Sequence, residues 1–316
     1  MNRILNNDNK TIIFDYFIRK SNLYLISTYW SNKIPYVSQS TPKLDITINK
    51  NKVEEHGFDE NEPLRYFKYK INKNIKLPLT LTINNNDYLI MPETIKPLKK
   101  KHKFAVATLF KNETSEWIQR FINYYTKQGV DAFYFYYNGS LKDMASNLPQ
   151  GKNIFYIIWD YQYWYDNIKH KHYAQTAFLM DFRLKYYEDN EWVAMIDLDE
   201  YIYNSSEQDK ETIYSYLNKL NGDIIVIANH WATLTKENEL KYNANSSGWT
   251  HRTKVIYNTK YKGYFGIHWI KPHLSTNNRL IKSFNLKMLH LIDVLHPNRN
   301  NRLEKYTRIT KNMNIV

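Results

Sequence analysis

Two hydrophobic periods divide this chain. From residue 1 to about 95, apolar positions alternate with polar ones at a period of two, the pattern of strands with one buried face. Lys43-Leu44-Asp45-Ile46-Thr47-Ile48 alternates in this way, and so do residues 65–71 and 77–83. Asn84-Asn85-Asn86-Asp87 is rich in turn formers and predicts a reversal into a further strand at Tyr88-Leu89-Ile90. These segments predict a small sandwich-like or extended sheet module. It shows no chemistry of its own: Glu54, Glu55, His56, Asp59 and Glu60 form a polar cluster with the character of a loop. Pro92-Glu93-Thr94-Ile95-Lys96-Pro97, running into the basic block Lys96 to Lys103, marks a linker.

At residue 104 the pattern changes to continuous apolar runs. Phe104 to Phe110, Ala132 to Tyr137, Asn153 to Asp160 and Trp192 to Asp197 predict buried strands. Between them, Glu116 to Gln128 carries Trp117, Ile118, Phe121, Ile122, Tyr124 and Tyr125 at helical spacing, with Gly129 as the stop signal. His172 to Asp189 predicts a second, longer helix. Strands alternating with helices at this spacing predict parallel βαβ units, an α/β class. Asn112, Glu113, Asn138, Ser140, Asp160, Asp197 and Asp199 all fall at predicted strand C-terminal ends, the edge where such sheets bind ligands.

The densest signal is Trp192-Val193-Ala194-Met195-Ile196-Asp197-Leu198-Asp199-Glu200-Tyr201, an apolar strand that ends in three carboxylates. If strand geometry persists, Asp197 and Asp199 share a face. Two carboxylates on one side make a half-site for a hard divalent cation such as Mg²⁺ or Mn²⁺. A bare Asp-x-Asp is common in solvated loops, so the strand context carries the assignment.

Composition narrows the function classes. The chain has 316 residues, 43% of them hydrophobic, enough for a substantial core. It has no cysteine, which excludes disulfides and thiolate metal sites and fits a reducing compartment. No apolar run approaches the about 18 residues of a membrane-spanning helix, and the N-terminal residues lack a secretory core, so a cytoplasmic location is expected. A formal net charge of +13 is compatible with nucleic acid, an anionic membrane or an anionic small substrate. Zinc spacing, an aromatic RNP motif and a basic heptad helix are missing, so no nucleic-acid partner is expected. The Lys96–Lys103 block fits a solvated surface.

The ordered set Ala105 to Glu113, Glu116-Trp117, Gly129 to Tyr136, Asn138 and Ser140, Gln175-Thr176-Ala177 and Trp192 to Tyr201 resembles glycosyltransferase family 92 and the related family-2-like glycosyltransferases of the GT-A fold. The resemblance covers roughly residues 102 to 270. It implies a Rossmann-like, mostly parallel sheet flanked by helices over residues 101–290. The β-rich module and linker would occupy residues 1–100, and residues 291–316 a C-terminal tail. It implies a metal-dependent transfer of a sugar, galactose with inversion, from a UDP-sugar to a glycan or glycoconjugate hydroxyl, with Mn²⁺ or Mg²⁺ as cofactor. Asp197 and Asp199 would hold the metal, with Asp197 also facing the donor diphosphate. Asn112 and Glu113 would lie near the nucleotide, and Gln175 on a helix facing the donor site. Asn138 stands where the family often has an Asp.

Further residues complete the expected site. His268, in Gly266-Ile267-His268-Trp269, resembles in order the late histidine that many GT-A enzymes supply to the metal; the alternative is a structural histidine packed near Trp269. Lys254, like Arg252, has the charge to neutralise a diphosphate, or belongs to a strand with alternating basic residues. His290, Asp293 and His296 have spacing too weak to specify a metal site, and Pro297 ends any helix there. A general base must accept the acceptor hydroxyl's proton. Glu237 and Glu239 both follow the strand Asp223 to Asn229; Glu239 is the assignment, and Glu200 is a further candidate. The aromatics Trp159 to Tyr165 and Trp231 offer stacking faces for sugars, or plain packing. Two other readings compete: a carbohydrate- or nucleic-acid-binding protein on the same fold, and a nucleotidyltransferase or phosphohydrolase using the same aspartates.

Overall fold

The computed structural model describes residues 3–5, 11–28, 44–56, 64–72, 76–161, 163, 173–205, 211–234, 240–242, 253–263, 279–291 and 309–311. The chain divides into two units, residues 1–99 with 164–189, and residues 100–163 with 190–316.

In the first unit the period-two segments form strands. These are β1 (Ile4–Leu5), β2 (Thr11–Arg19), β3 (Asn22–Thr28), β4 (Ile46–Ile48), β5 (Asn51–Lys52), β6 (Glu54–His56), β7 (Leu64–Lys70), β8 (Leu79–Ile83), β9 (Asn86–Ile90) and β10 (Glu93–Thr94). One sheet has the order β1-β2-β3-β7-β6, with β10 added parallel to β2; the other has the order β5-β4-β8-β9. Ile13, Leu23 and Leu25 of the first sheet share one apolar cluster with Ile46, Ile48, Leu79, Leu81 and Ile83 of the second. The alternation buries one face of each sheet, as in a sandwich. Asn84 and Asn85 adopt positive φ (47° and 66°), the left-handed pair that a two-residue hairpin between β8 and β9 needs. The polar segment from Glu54, expected to be a loop, begins with β6, which pairs with β7. Its later residues lie outside the described ones.

The helix expected over 172–189 forms as α2 (Tyr173–Lys185), followed by a short 3-10 turn at Tyr187–Asp189. It belongs to the first unit. Lys185 pairs with Asp15 of β2, and with Asp181 at 3.0 Å. Arg19 of β2 makes two hydrogen bonds to the Asp189 carboxylate, at 2.9 and 3.2 Å. These groups are all buried. Charges removed from water must be paired, so the ion pairs tie the crossover segment to strands at the other end of the unit's sequence.

The second unit begins with β11 (His102–Phe110), α1 (Ser115–Lys127), β12 (Ala132–Tyr137) and β13 (Ile154–Ile158). It continues with β14 (Asn190–Met195), β15 (Glu200–Asn204), α3 (Ile213–Lys219), β16 (Ile224–Leu234) and β17 (Leu240–Tyr242). The last described strands are β18 (Lys254–Asn258), β19 (Leu280–Leu291) and β20 (Ile309–Lys311). The sheet order is β13-β12-β11-β14-β18-β16-β17-β20, with β19 pairing both β16 and β15. From β13 to β14 neighbouring strands are parallel, as the alternation predicted; Val106 lies opposite Phe133 on one side and Ala194 on the other. Beyond β14 the sheet is mixed: β18 is antiparallel to β14 and to β16, and β19 is parallel to β16. The architecture is mixed α/β with little helix, and the expected mostly parallel character holds only for this first half. α1 starts with Thr114, whose hydroxyl accepts from the Trp117 amide at 3.2 Å, and ends before Gly129 at φ 92°. Its apolar stripe, Trp117 to Tyr125, joins the core beneath β11, β12 and β14.

Candidate active site

The acidic motif sits in a turn. β14 stops at Met195, and the Glu200 amide donates to the Asp197 carbonyl at 3.0 Å. The turn is anchored from several directions. The Trp117 indole donates to the Leu198 carbonyl at 2.9 Å, and the Leu291 amide to the Asp199 carbonyl at 2.7 Å. The Tyr125 hydroxyl donates to the Glu200 carbonyl at 2.8 Å and accepts from the Ile202 amide at 2.9 Å. Strand geometry therefore does not persist through the motif, and the two aspartates engage different partners.

Asp197 Oδ2 lies 2.9 Å from Lys254 Nζ, and the same ammonium lies 3.0 Å from Glu200 Oε2. Burial disfavours the Lys254 charge, but Asp197 and Glu200 outweigh it and raise the ammonium's pKa. Asp199 Oδ2 lies 3.1 Å from His290 Nε2, and His290 Nδ1 lies 3.6 Å from Glu200 Oε1. Burial works against an imidazolium here; the hydrogen bond and charge of Asp199, with Glu200 and Asp197, raise its pKa. Burial also raises Glu200, against the pull of Lys254. Trp231 of β16 stands opposite His290 in the sheet register, with ring centroids 4.8 Å apart.

Beside this cluster is a cleft of about 540 Å³ at the C-terminal ends of β11, β12 and β13. Asn112, Glu113, Tyr137, Ser140, Asp143 and Asp160 are among its lining residues. Glu113 Oε2 accepts from the Lys111 amide at 2.8 Å. Burial raises Glu113 while backbone N–H groups oppose it, and the charge of Asp199 adds to the rise, which couples the cleft to the acidic turn. Asn138 is buried, and its amide nitrogen donates to the carbonyls of Trp159 and Tyr161, both at 2.9 Å, so it ties β12 to the chain leaving β13. Gly139 packs on Tyr137: a Cβ there would lie 2.8 Å from the ring.

The structure thus gathers Asn112, Glu113, Asp197, Asp199 and Lys254 at one edge of the second unit. Lys254 is 2% exposed and faces carboxylates. Gln175 is buried on α2 of the first unit. Trp159 and Tyr161 are core residues, which favours the packing reading for them. His268, Glu237, Glu239, Arg252, Asp293 and His296 lie outside the described residues. His290 is the residue the sequence reading passed over. Its spacing to Asp293 and His296 carried no signal, and its partner Asp199 is 91 residues away.

A divalent cation fits part of this arrangement. Two adjacent ligands on an octahedral cation, each about 2.1 Å away, stand about 3 Å apart. Asp199 Oδ2 and His290 Nε2 have that separation. Among the described residues, no group of three or more His, Asp or Glu side chains converges on one point. Asp199 is paired with His290 by a hydrogen bond at 3.1 Å, and Asp197 is engaged by Lys254.

The chain has no match among curated proteins. One solved structure, a siderophore-interacting protein from Acinetobacter baumannii, aligns at 13% identity over 59% of this chain and 75% of that one. Its TM-score of 0.18 is too low to bear on the fold. The sequence profile described as Glycosyltransferase family 92 matches residues 100–315, which include every described strand of the mixed sheet, the cleft and the acidic turn. The chain belongs to glycosyltransferase family 92.

Proposed function

We propose that this glycosyltransferase has GT-A architecture and moves a sugar from a UDP-sugar to a hydroxyl of a glycan or glycoconjugate, with the help of Mn²⁺ or Mg²⁺. Galactose with inversion at the anomeric carbon is the assignment that goes with the family resemblance. The observation that carries the reading is the Asp199–His290 pair, 3.1 Å apart at the edge of the parallel strands and electrostatically coupled to Glu113 of the cleft. A binding module has no evident need for such a pair.

The cleft has the volume of a small-ligand site. Its acidic lining, Glu113, Asp143 and Asp160, suits the N–H and O–H donors of a nucleoside better than a phosphate. Asp199 and His290 would hold the cation, and the imidazole favours Mn²⁺ over Mg²⁺. When bound, the cation neutralises charge developing on the departing diphosphate as a Lewis acid. The sugar's bond to that diphosphate breaks, a bond to the acceptor oxygen forms, and the hydroxyl proton passes to a general base. Glu239 remains the base assigned from sequence order. Glu200 is unsuited to that role, because it is 0% exposed and its Oε2 already accepts from Lys254 and the Asp197 amide. Trp231, half-buried beside His290, is positioned to meet a sugar face.

Calorimetric titration with UDP-, GDP-, CMP- and dTDP-sugars, with and without Mn²⁺, tests the reading. Metal-dependent binding of the UDP class, lost in Asp199→Ala, is the expected result. Absence of nucleotide binding under every condition overturns it.

A further inference from the structure

One end of the first unit's sandwich is assembled from segments far apart in sequence. The turn Lys20–Ser21 joins β2 to β3 there, and the turn Asn49–Lys50 joins β4 to β5; all four residues have positive φ. Just past β7, the Ile71 amide donates to the Ser21 carbonyl at 2.9 Å, and the Thr80 amide of β8 donates to Asn49 Oδ1 at 3.0 Å. Asn51 Nδ2 lies 3.5 Å from the Tyr69 hydroxyl, so the two sheets meet at this end. Lys50, Lys52, Lys70 and Lys76 are exposed here, and none has an ion-pair partner among the described residues. The nearby carboxylates are matched to other lysines: Glu188 pairs with Lys20, and Glu54 stands opposite Lys68 in the register. Leu77, 43% exposed, and the exposed Pro78 precede β8 and stand uncovered among these ammonium groups. The turn at the other end of β8, Asn84–Asn85, is flanked instead by Asp45 and Asp87.

We propose that this lysine-rich end is a docking surface for a membrane carrying anionic lipid, with Leu77 entering the headgroup boundary and the four ammonium groups meeting the lipid anions. The inference goes beyond the transferase reading and does not depend on it. Charge complementarity sets the sign of the partner, and side-chain chemistry chooses among anionic partners. Fixed phosphate or carboxylate groups are recognised best by arginine, whose planar fork makes two parallel bonds. Arg19, next to the Lys20 turn, is buried against Asp189 instead. Lysine ammonium groups are point charges on flexible stems, which suits a fluid layer of headgroups with no fixed positions. A single-stranded nucleic acid also needs rings on which its bases stack. Among the described residues of the first unit no aromatic ring is exposed. An exposed aliphatic side chain ringed by lysines is the combination that seats at a bilayer interface.

The test is sedimentation of the full chain with vesicles of phosphatidylcholine alone and of phosphatidylcholine mixed with phosphatidylserine. The expected result is co-sedimentation with the mixed vesicles only, weakening as salt is raised. Each of Lys50→Gln, Lys52→Gln, Lys70→Gln and Lys76→Gln should lower the partition by about 5-fold. Leu77→Ser should lower it at every salt concentration. Thermal unfolding monitors the fold, which exposed single substitutions leave intact. Lys127→Gln, Lys152→Gln and Lys260→Gln, at exposed positions of the second unit, are the controls and should change the partition less. Absence of binding to the mixed vesicles, equal binding to both kinds, or an equal loss in the controls overturns the proposal. Binding of duplex DNA that these same four lysines carry, without vesicle binding, assigns the surface to nucleic acid and overturns it too. Donor-nucleotide binding by calorimetry should be unchanged in every variant, so failure here and failure of the transferase reading are read separately.

Discussion

The indole N–H of Trp117 donates to the carbonyl of Leu198, the middle residue of the Asp-x-Asp motif, at 2.9 Å. Both residues are buried, so the first turn of α1 holds the acidic turn through a bond that water does not share. Trp117→Phe keeps an aromatic ring and removes the donor. It leaves a buried carbonyl unpaired, at a cost of about 1–3 kcal/mol. The expected outcome is a lower urea midpoint together with weaker Mn²⁺-dependent donor binding. Unchanged donor binding in a destabilised variant would separate the anchor from the site.

His290→Ala removes one of the two residues proposed to hold the cation. Metal affinity is expected to fall on the order of 100-fold, since even outer partners of a metal site are worth 10- to 100-fold. Asp197→Asn is expected to have a smaller effect on metal affinity, because Asp197 is engaged by Lys254. Parallel Mn²⁺ titrations of the two variants measure the difference. A larger loss in Asp197→Asn would assign the primary ligand to Asp197.

Gly139→Val tests the cleft. The added Cβ would meet the Tyr137 ring at 2.8–3.0 Å, so the ring or the loop must move. Overpacking of this kind costs about 1–3 kcal/mol. Nucleotide affinity measured by calorimetry is expected to weaken, while Mn²⁺ binding in the absence of nucleotide stays as in wild type. Wild-type nucleotide affinity would remove the cleft as the nucleoside site.

Lys185→Met addresses the first unit. The Lys185 side chain is 4% exposed, and those of Asp15 and Asp181 are 1% and 0% exposed. Removing the cation leaves two buried carboxylates without it, and breaking one member of such a pair costs about 3–5 kcal/mol. Thermal unfolding should fall sharply. Lys185→Met combined with Asp15→Asn should recover part of the loss, and no recovery would count against the pairing as the source.

Much of the local structure was legible in the chain. Period-two alternation located β4, β7 and β8, and the apolar stripe from Trp117 to Tyr125 located α1 within a residue of each end. Positive φ at Asn84, Asn85 and Gly129 falls where the turn and stop signals stood. The failures lie where contacts are long-range. Persistence of strand geometry through Asp197 and Asp199 was a local extrapolation, and anchors from α1 and β19 bend that segment into a turn. Lys254 had the charge to neutralise a diphosphate or to belong to a strand with alternating basic residues; the pattern does not reveal that β18 pairs with β14 and brings it 2.9 Å from Asp197.

The sequence by itself determined the elements and the residue types at their ends. Side-chain period and turn chemistry act over a few neighbours and are written in consecutive positions. It also carried the family, through an ordered set of such local segments. Only the tertiary structure decided which charges meet. Sheet register places His290 opposite Glu200 and within reach of Asp199, 91 residues earlier in the chain. Burial of Lys185 and Arg19 among carboxylates draws α2 into the first unit. Pairing across that distance follows from strand order and the need to neutralise buried charge, and neither is encoded in the spacing of adjacent residues.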